Sequence, residues 1–473
     1  MLFFLAIFVL GCLTAFLFSH YNVIVAAMAT YLFSIVVFPS EVKIFSFSPS
    51  TILSYLLFAC SLYYGYRKGF FFKEDNKKII YVILIYFLVY LFLLPLGVGM
   101  TISEQIPALK LFVLGIFPYV FYASLIKNSI QVEAILKYIV VVSLFVFAYG
   151  IYSYLTNQNL YLMLVGIVYS GISGLEKMMG EFRGGLEGRL GGTIGNPVFY
   201  AGMMLILFFL LLALYINIPK NKKGWRYTIL LSMFALFLNL FFTGSRASLV
   251  AFILGVGLFC IKWWSKTRLA IAFMIVTTSF IVGLNFPIFG KYQVYVDSII
   301  YFWDDSKSDG EIKGSSVAMR LDQLDGLADV VGMKGAFFGL GTGWVRKYIS
   351  ENGIHPVLLG FESIFFSGVT QYGIIGFFLL YILLFIAMLH LTWYFYRQSK
   401  VKFNQFWLVS CYIFSYIIYA FMTGPFFWEF FLGGYVILLK YFLCKEKEKV
   451  LLVNFLKLKK MILEEKERDK ISN

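Results

Sequence analysis

Runs of about 20 apolar residues, the length that crosses a bilayer as a single helix, recur from one end of this chain to the other. The backbone of such a run must hydrogen-bond to itself once water is gone, so each run is read as a helix. The runs are continuous rather than alternating, which excludes an outer-membrane barrel. Of the 473 residues, 60% are hydrophobic, 20% aromatic and only 14% charged, with a mean hydropathy of +0.83. A soluble domain carries roughly 25% charge and less than half apolar residues. A water-soluble globule, a disordered chain and a nucleic-acid binder are thereby excluded. The expected fold is all-α, a polytopic helical membrane protein.

The runs predict spans at Leu2–Phe18, Val23–Phe38, Ile52–Tyr66, Ile79–Val98, Ala108–Leu125, Ile135–Leu155, Phe199–Ile218, Trp225–Phe242, Ser248–Trp264, Leu269–Phe286, Ile364–Tyr396, Phe406–Met422 and Phe426–Phe442. The expectation is about 12–14 transmembrane helices. The first run lacks a charged n-region and a second follows at once, so it reads as a span and not as a cleavable signal. Cys12, Cys60, Cys260, Cys411 and Cys444 lie in or beside apolar runs with no CxxC pair, which predicts neither a disulfide framework nor a metal cluster.

The net charge of +15 fits the excess of Lys and Arg in cytoplasmic loops of membrane proteins. Basic residues crowd four turns, at 67–78, 220–226, 262–268 and 397–402, and the tail from Lys445. The spans put all five on one side, which the positive-inside rule makes cytoplasmic. The divisions expected are N-terminal helices at 1–155, an extracytoplasmic loop at 156–198, core helices at 199–286, a large helical extracytoplasmic loop at 287–360 between the tenth and eleventh spans, C-terminal helices at 361–443 and a basic cytoplasmic tail at 444–473. Within the large loop, Met319–Val331 has helical spacing, with Leu321, Leu324, Leu327 and Ala328 expected on the packed face. The tail pairs Leu451, Leu452, Phe455, Leu458 and Ile462 with Lys457, Lys459 and Lys460. It reads as a basic amphipathic helix on the inner leaflet, or else as a solubilising tail.

Four clusters at the loop-side ends of spans carry the candidate chemistry. In Arg189-Leu-Gly-Gly-Thr-Ile-Gly195-Asn196-Pro197 the asparagine and proline mark a helix start. Its positive dipole end suits an anion such as phosphate, with Arg183 and Arg189 just upstream; the alternative is a structural turn. In Thr243-Gly244-Ser245-Arg246 an arginine opens a helix, where the dipole disfavours a cation. An anionic ligand explains it; snorkelling is the alternative. Arg320 precedes Gly339-Leu-Gly341-Thr-Gly343-Trp344, a stretch too far from any strand–turn–helix unit to bind a dinucleotide. For Arg320 the alternative is pairing with Asp322 or Asp325. Glu362-Ser363 heads the apolar run through Gly373 and Gly376. A carboxylate there is a candidate general base whose pKa desolvation would raise, or a helix-dipole partner. His355 is a second candidate base.

In this order, RLGGTIGNPVFYAG, TGSRASLVAF, the Arg320 helix leading to FFGLGTGW, and ESIFFSGVTQYGIIG resemble the O-antigen ligase/polymerase family of integral-membrane glycosyltransferases. The likeness covers about residues 185–380. Ligases of that family begin the last motif with His-Asn, then nine residues, then GxxG. Here Glu362-Ser363 stands first, so the motif looks like the polymerase branch. The resemblance implies about a dozen spans, a large periplasmic loop, and metal-independent use of polyprenyl-diphosphate-linked sugars on the outer face of the bacterial inner membrane. Such members make O-antigen or capsule, alongside a flippase and a chain-length regulator.

On that reading Arg183, Arg189, Arg246 and Arg320 grip the diphosphate, since guanidinium binds phosphate bidentately. Glu362, or His355, takes the proton of the attacking hydroxyl, and Asn196, Ser245 and Ser363 support them. No metal or other cofactor is expected, because none of the clusters holds the carboxylate set Mg²⁺ requires. Partners expected are lipid-linked oligosaccharides and the bilayer, not nucleic acid. Direct attack gives inversion. The competing readings are a ligase with another acceptor and a transporter of lipid-linked oligosaccharide; the latter would place charges at the bilayer midplane and in broken helices.

Overall fold

The structure is a computed structural model and describes residues 2–20, 22–39, 41–44, 47–68, 74–170, 189–263, 317–398 and 400–472. The expected span at 269–286, Arg183 and the first part of the large loop lie outside the described residues. Among those described, the chain is all-helical, with two isolated bridges, Ile44 with Phe47 and His355 with Leu359. Six helices are long and apolar enough to cross a membrane: Asn76–Leu96, Ser129–Thr156, Pro197–Asn217, Lys223–Phe242, Ile364–Arg397 and Phe403–Thr423.

The helices are α1 Leu2–Phe18, α2 Val23–Val37, α3 Pro49–Lys68, α4 Glu74–Leu93, α5 Ile102–Leu125, α6 Ser129–Thr156 and α7 Leu160–Val165. Then come α8 Pro197–Asn217, α9 Lys223–Phe242, α10 Arg246–Trp263, α11 Val317–Gly335 and α12 Trp344–Asn352. The last four are α13 Ile364–Phe377, α14 Leu383–Arg397, α15 Phe403–Thr423 and α16 Trp428–Ser472. Asparagine side chains start several of them: Asn22, Asn128, Asn159 and Asn196 each accept a backbone N–H of the first turn. At the centre stands α8, apolar on every side and buried throughout Met203–Leu211, as a fully enclosed helix should be. α6, α9, α10, α15 and α16 pack around it.

The basic turns gather at one end. Lys440 donates to Asn76 at 2.6 Å, Lys445 pairs with Glu133 at 2.6 Å, and Ser129 N–H donates to Glu448 at 2.7 Å. Lys78 lies over the Tyr394 ring, Lys137 over Trp225 and Lys262 over Phe403. The basic segments therefore gather at one end of the bundle wherever they are described. The tail is helical through Ser472.

The opposite end is built around a broken helix. At Gly373 (φ 68, ψ −179) α13 loses helical geometry. The glycine-rich segment after α11 lies in the gap and pairs with it backbone to backbone. Leu340 and Gly341 N–H donate to the carbonyls of Thr370 and Gln371, and Ile374 and Ile375 N–H donate to Ala336 and Phe337. A third segment joins from the end of α4: Val98 and Gly99 N–H donate to Gly339 and Leu340. A Cβ on Gly339 would stand 2.4 Å from Gln371 C, and one on Gly373 2.2 Å from Phe337 C. Gly339 and Gly373 are thus required by chain-to-chain contact.

The expected helix at Met319–Val331 is present within α11. Its packed face is different. Gln323, Leu327 and Val331 are buried, whereas Leu321 and Leu324 are exposed at 59% and 44% and Ala328 is also exposed. Arg320 and Gln323 both bond to the 357–362 stretch, and that polar ridge sets the helix rotation against its apolar stripe.

Replacing Gly339 by Ala should cost markedly more stability than replacing Gly332. Both have positive φ, but nothing lies within 4 Å of a Cβ on Gly332. Gly332→Ala should lose about 1–3 kcal/mol of backbone strain at its positive φ and extended ψ. Gly339→Ala adds a backbone overlap and should lower the melting temperature further or abolish folded yield. Equal losses by thermal denaturation in detergent would refute the pairing.

Candidate functional site

The Arg189–Pro197 segment is a closed turn. Gly195 N–H donates to Gly191, Asn159 Nδ2 donates to the Gly192 carbonyl, and the Thr193 hydroxyl donates to Val36. Gly192 has φ 54, and a Cβ there would strike the Tyr200 ring at 2.3 Å. Asn196 accepts from Val198 and Phe199 N–H at 2.9 and 3.1 Å, with Pro197 first in α8, so the helix start read from the sequence is observed. Leu190 N–H donates to Phe242 and Arg189 Nε donates to the Thr243 carbonyl at 2.9 Å. The guanidinium lies over Gly244 (φ 60), immediately before Arg246 opens α10. Two clusters distant in sequence are therefore one structural neighbourhood. Ser245 in that turn is buried; its hydroxyl shares a hydrogen bond with Ser248 at 2.8 Å.

The other two clusters also meet. Arg320 donates to the carbonyls of Glu362 at 2.9 Å and Met422 at 3.0 Å and to the Gln323 side chain at 2.7 Å. It thereby clasps α11, the head of α13 and the end of α15. A cation at the C-terminal end of α15 is favoured by the helix dipole. Arg320 lies 5.7 Å from the Phe366 ring centre. Burial pulls its guanidinium below the ordinary value, and the Glu362 charge opposes that shift. Ser363 caps α13: it accepts from Phe365 N–H and donates to the Phe421 carbonyl at 2.8 Å. Glu362 itself is half-buried. The turn leading to it holds two non-glycine residues at positive φ, Leu359 at 53° and Phe361 at 55°. Such strain costs of order 1–3 kcal/mol per residue and tends to collect at functional sites.

His355 is held differently. Its Nδ1 accepts from Val357 and Leu358 N–H at 3.1 and 2.9 Å, so the neutral ring carries its proton on Nε2 and presents a donor there. Tyr348 and Phe361 flank it.

Two charges in the last span escaped the sequence reading. Lys440 is buried and bonded to Asn76 at the basic end. Glu429, in the first turn of α16, places its Cγ where a Gly115 Cβ would stand. Tyr86, Tyr381 and Tyr416 lie in electrostatic range of its carboxylate. Glu429 stands about 24 Å along α16 from Lys445 at 1.5 Å per residue, at the far end of an apolar run from the basic end. A lone acidic residue in an apolar run was the signal available.

Near this site Lys347 of α12 pairs with Glu104 at 2.5 Å, and Glu104 also accepts from the N–H and hydroxyl of Thr101 just before α5. The Lys347 bond, with the Thr101 bonds behind it, brings the carboxyl down to about 2. Its folded value lies below the unfolded value of about 4.3. The stability it contributes is present above that unfolded value and lost as pH falls toward the folded one. Glu104→Gln should therefore melt below wild type near neutral pH. The gap should close as pH falls from about 4.3 toward about 2 and shrink in high salt, since the pair is exposed. A pH-independent gap in thermal melts would contradict this. Compared with protein-family models and with curated proteins, the chain matches none.

Proposed function

We propose that this protein is a polysaccharide polymerase, a membrane glycosyltransferase that joins polyprenyl-diphosphate-linked oligosaccharide repeat units into a long surface glycan. On this reading the site end faces outward from the bacterial inner membrane, and the basic end with the tail is cytoplasmic. The observation that carries it is the Arg320–Glu362–Ser363 cluster, a guanidinium beside a half-buried carboxylate under a strained turn. Arg189 over the turn that precedes Arg246 adds a second cationic neighbourhood.

In the reaction a hydroxyl of one glycan attacks C1 of another. The new C–O bond forms as the bond from C1 to the diphosphate oxygen breaks, and the lipid diphosphate leaves. The hydroxyl proton passes to Glu362, which suits the role better than His355 because the latter's Nδ1 is already taken by two backbone donors. Charge growing on the leaving diphosphate is met by arginine, and direct attack inverts C1. Transfer to a different acceptor, as in a ligase, uses the same groups.

A second reading, transport of a lipid-linked oligosaccharide, is favoured by Glu429 in an apolar run and by the break at Gly373. Arg246→Ala, Arg320→Ala and Glu362→Gln separate the two. Each variant should insert normally yet leave cells with single repeat units on their lipid carrier, displayed on the outer face. Wild-type chain lengths in all three would refute the site. Repeat units trapped on the inner face would support transport.

A further inference from the structure

The three-segment pairing at the site end has an outer surface with an unusual composition. Val98, Ile102, Met333, Phe337 and Ile374 are exposed at 56%, 58%, 95%, 63% and 60%. They come from three separate stretches, yet the backbone bonds that join Val98 to Gly339 and Ile375 to Phe337 bring those stretches side by side. Scattered exposed apolar side chains need no explanation, but a contiguous set does.

Depth identifies what covers them. Below the break, the helical run from Ile374 to Arg397 is roughly 36 Å long at 1.5 Å per residue. That exceeds a hydrocarbon thickness of about 30 Å. Arg397 stands with the basic turns, so Ile374 falls at the far boundary of the bilayer. Ile374, Ile375 and Phe378 are exposed down the same helix, so the apolar surface of the paired segments continues the side of a span. Lys334 sits between Met333 and Phe337, also exposed, and its long side chain can reach the headgroups while its neighbours contact acyl chain.

We propose that these residues form a lipid-seated collar: Met333 and Phe337 at the end of α11, with Val98 and Ile102, enter the headgroup–acyl boundary of the leaflet at the site end. The α11–α12 unit is then anchored on the membrane surface rather than held above it in water. This rests on the span assignment and not on the glycosyltransferase reading.

The test places an environment-sensitive fluorescent amino acid, encoded genetically, at Met333, Phe337 or, for comparison, exposed Ser350 of α12. The protein is reconstituted in phosphatidylcholine–phosphatidylglycerol vesicles with nitroxide-labelled lipid. Quenching at 333 and 337 should exceed that at 350 several-fold and be stronger for a nitroxide high on the acyl chain than for one near its end. Quenching at 333 and 337 no greater than at 350 would overturn the proposal. So would shielding that needs a second copy of the chain, seen as quenching that vanishes while fluorophores on two copies transfer energy to each other.

Discussion

A broken helix leaves backbone N–H and C=O groups without their usual partners, and each costs a few kcal/mol if it is buried unsatisfied. The break at Gly373 is tolerated because two other segments supply the missing partners, the 336–341 stretch and the 98–99 stretch. This pairing needs backbones to approach closer than any side chain permits, which is why glycines stand at 339 and 373, and at 97 where the chain lies against Gly341. It also fixes the position of the end of α11, which leads straight into the paired 336–341 stretch. Arg320 then falls within reach of the Glu362 and Met422 carbonyls.

The two ends of the bundle use charge differently. At the basic end Glu133 of α6 pairs with Lys445 and Glu448 of α16 accepts from Ser129 N–H, so these charged groups tie α16 to α6. At the site end arginines are bonded to carbonyl oxygens. Arg189 thereby ties the segment before α8 to the turn before α10, and Arg320 ties α11 to the head of α13 and the end of α15. Between the ends the core is held by aromatic stacking, as in Tyr416 on Phe431 at 3.9 Å and Tyr154 on Phe242 at 4.1 Å. Buried amide and hydroxyl groups add to this, with Asn239 bonding to Tyr200 and to the Phe147 carbonyl.

Much of the scaffold was legible because apolar length and helix punctuation are local properties. The span at Phe199–Ile218, the Asn196 cap and the helix through Met319–Val331 follow from them, and charge asymmetry revealed the basic end. Contacts between distant segments were not legible. The glycines of FFGLGTGW were rejected as a dinucleotide site from the sequence, but the backbone of other segments that lies against Gly339 could not be foreseen. The packed face of α11 was misread because bonds from Arg320 and Gln323 outweigh the stripe of Leu321 and Leu324. Glu429 and Lys440 were hidden inside an otherwise apolar run, since their surroundings are contributed by Gly115 and Asn76 on other helices. The pairing of Arg189 with the turn before Arg246 likewise depends on how α8, α9 and α10 pack.

Amide hydrogen exchange on the intact protein in a lipid bilayer tests the dependence of the site end on backbone pairing most directly. Leu340, Gly341, Ile374 and Ile375 should exchange as slowly as the amides of central α8, because their N–H groups are bonded and shielded. Exchange at those positions as fast as in the exposed turn at Asn221 would mean that the broken helix is not sealed by its neighbours. The clasp of Arg320 on Glu362 would then lose its foundation.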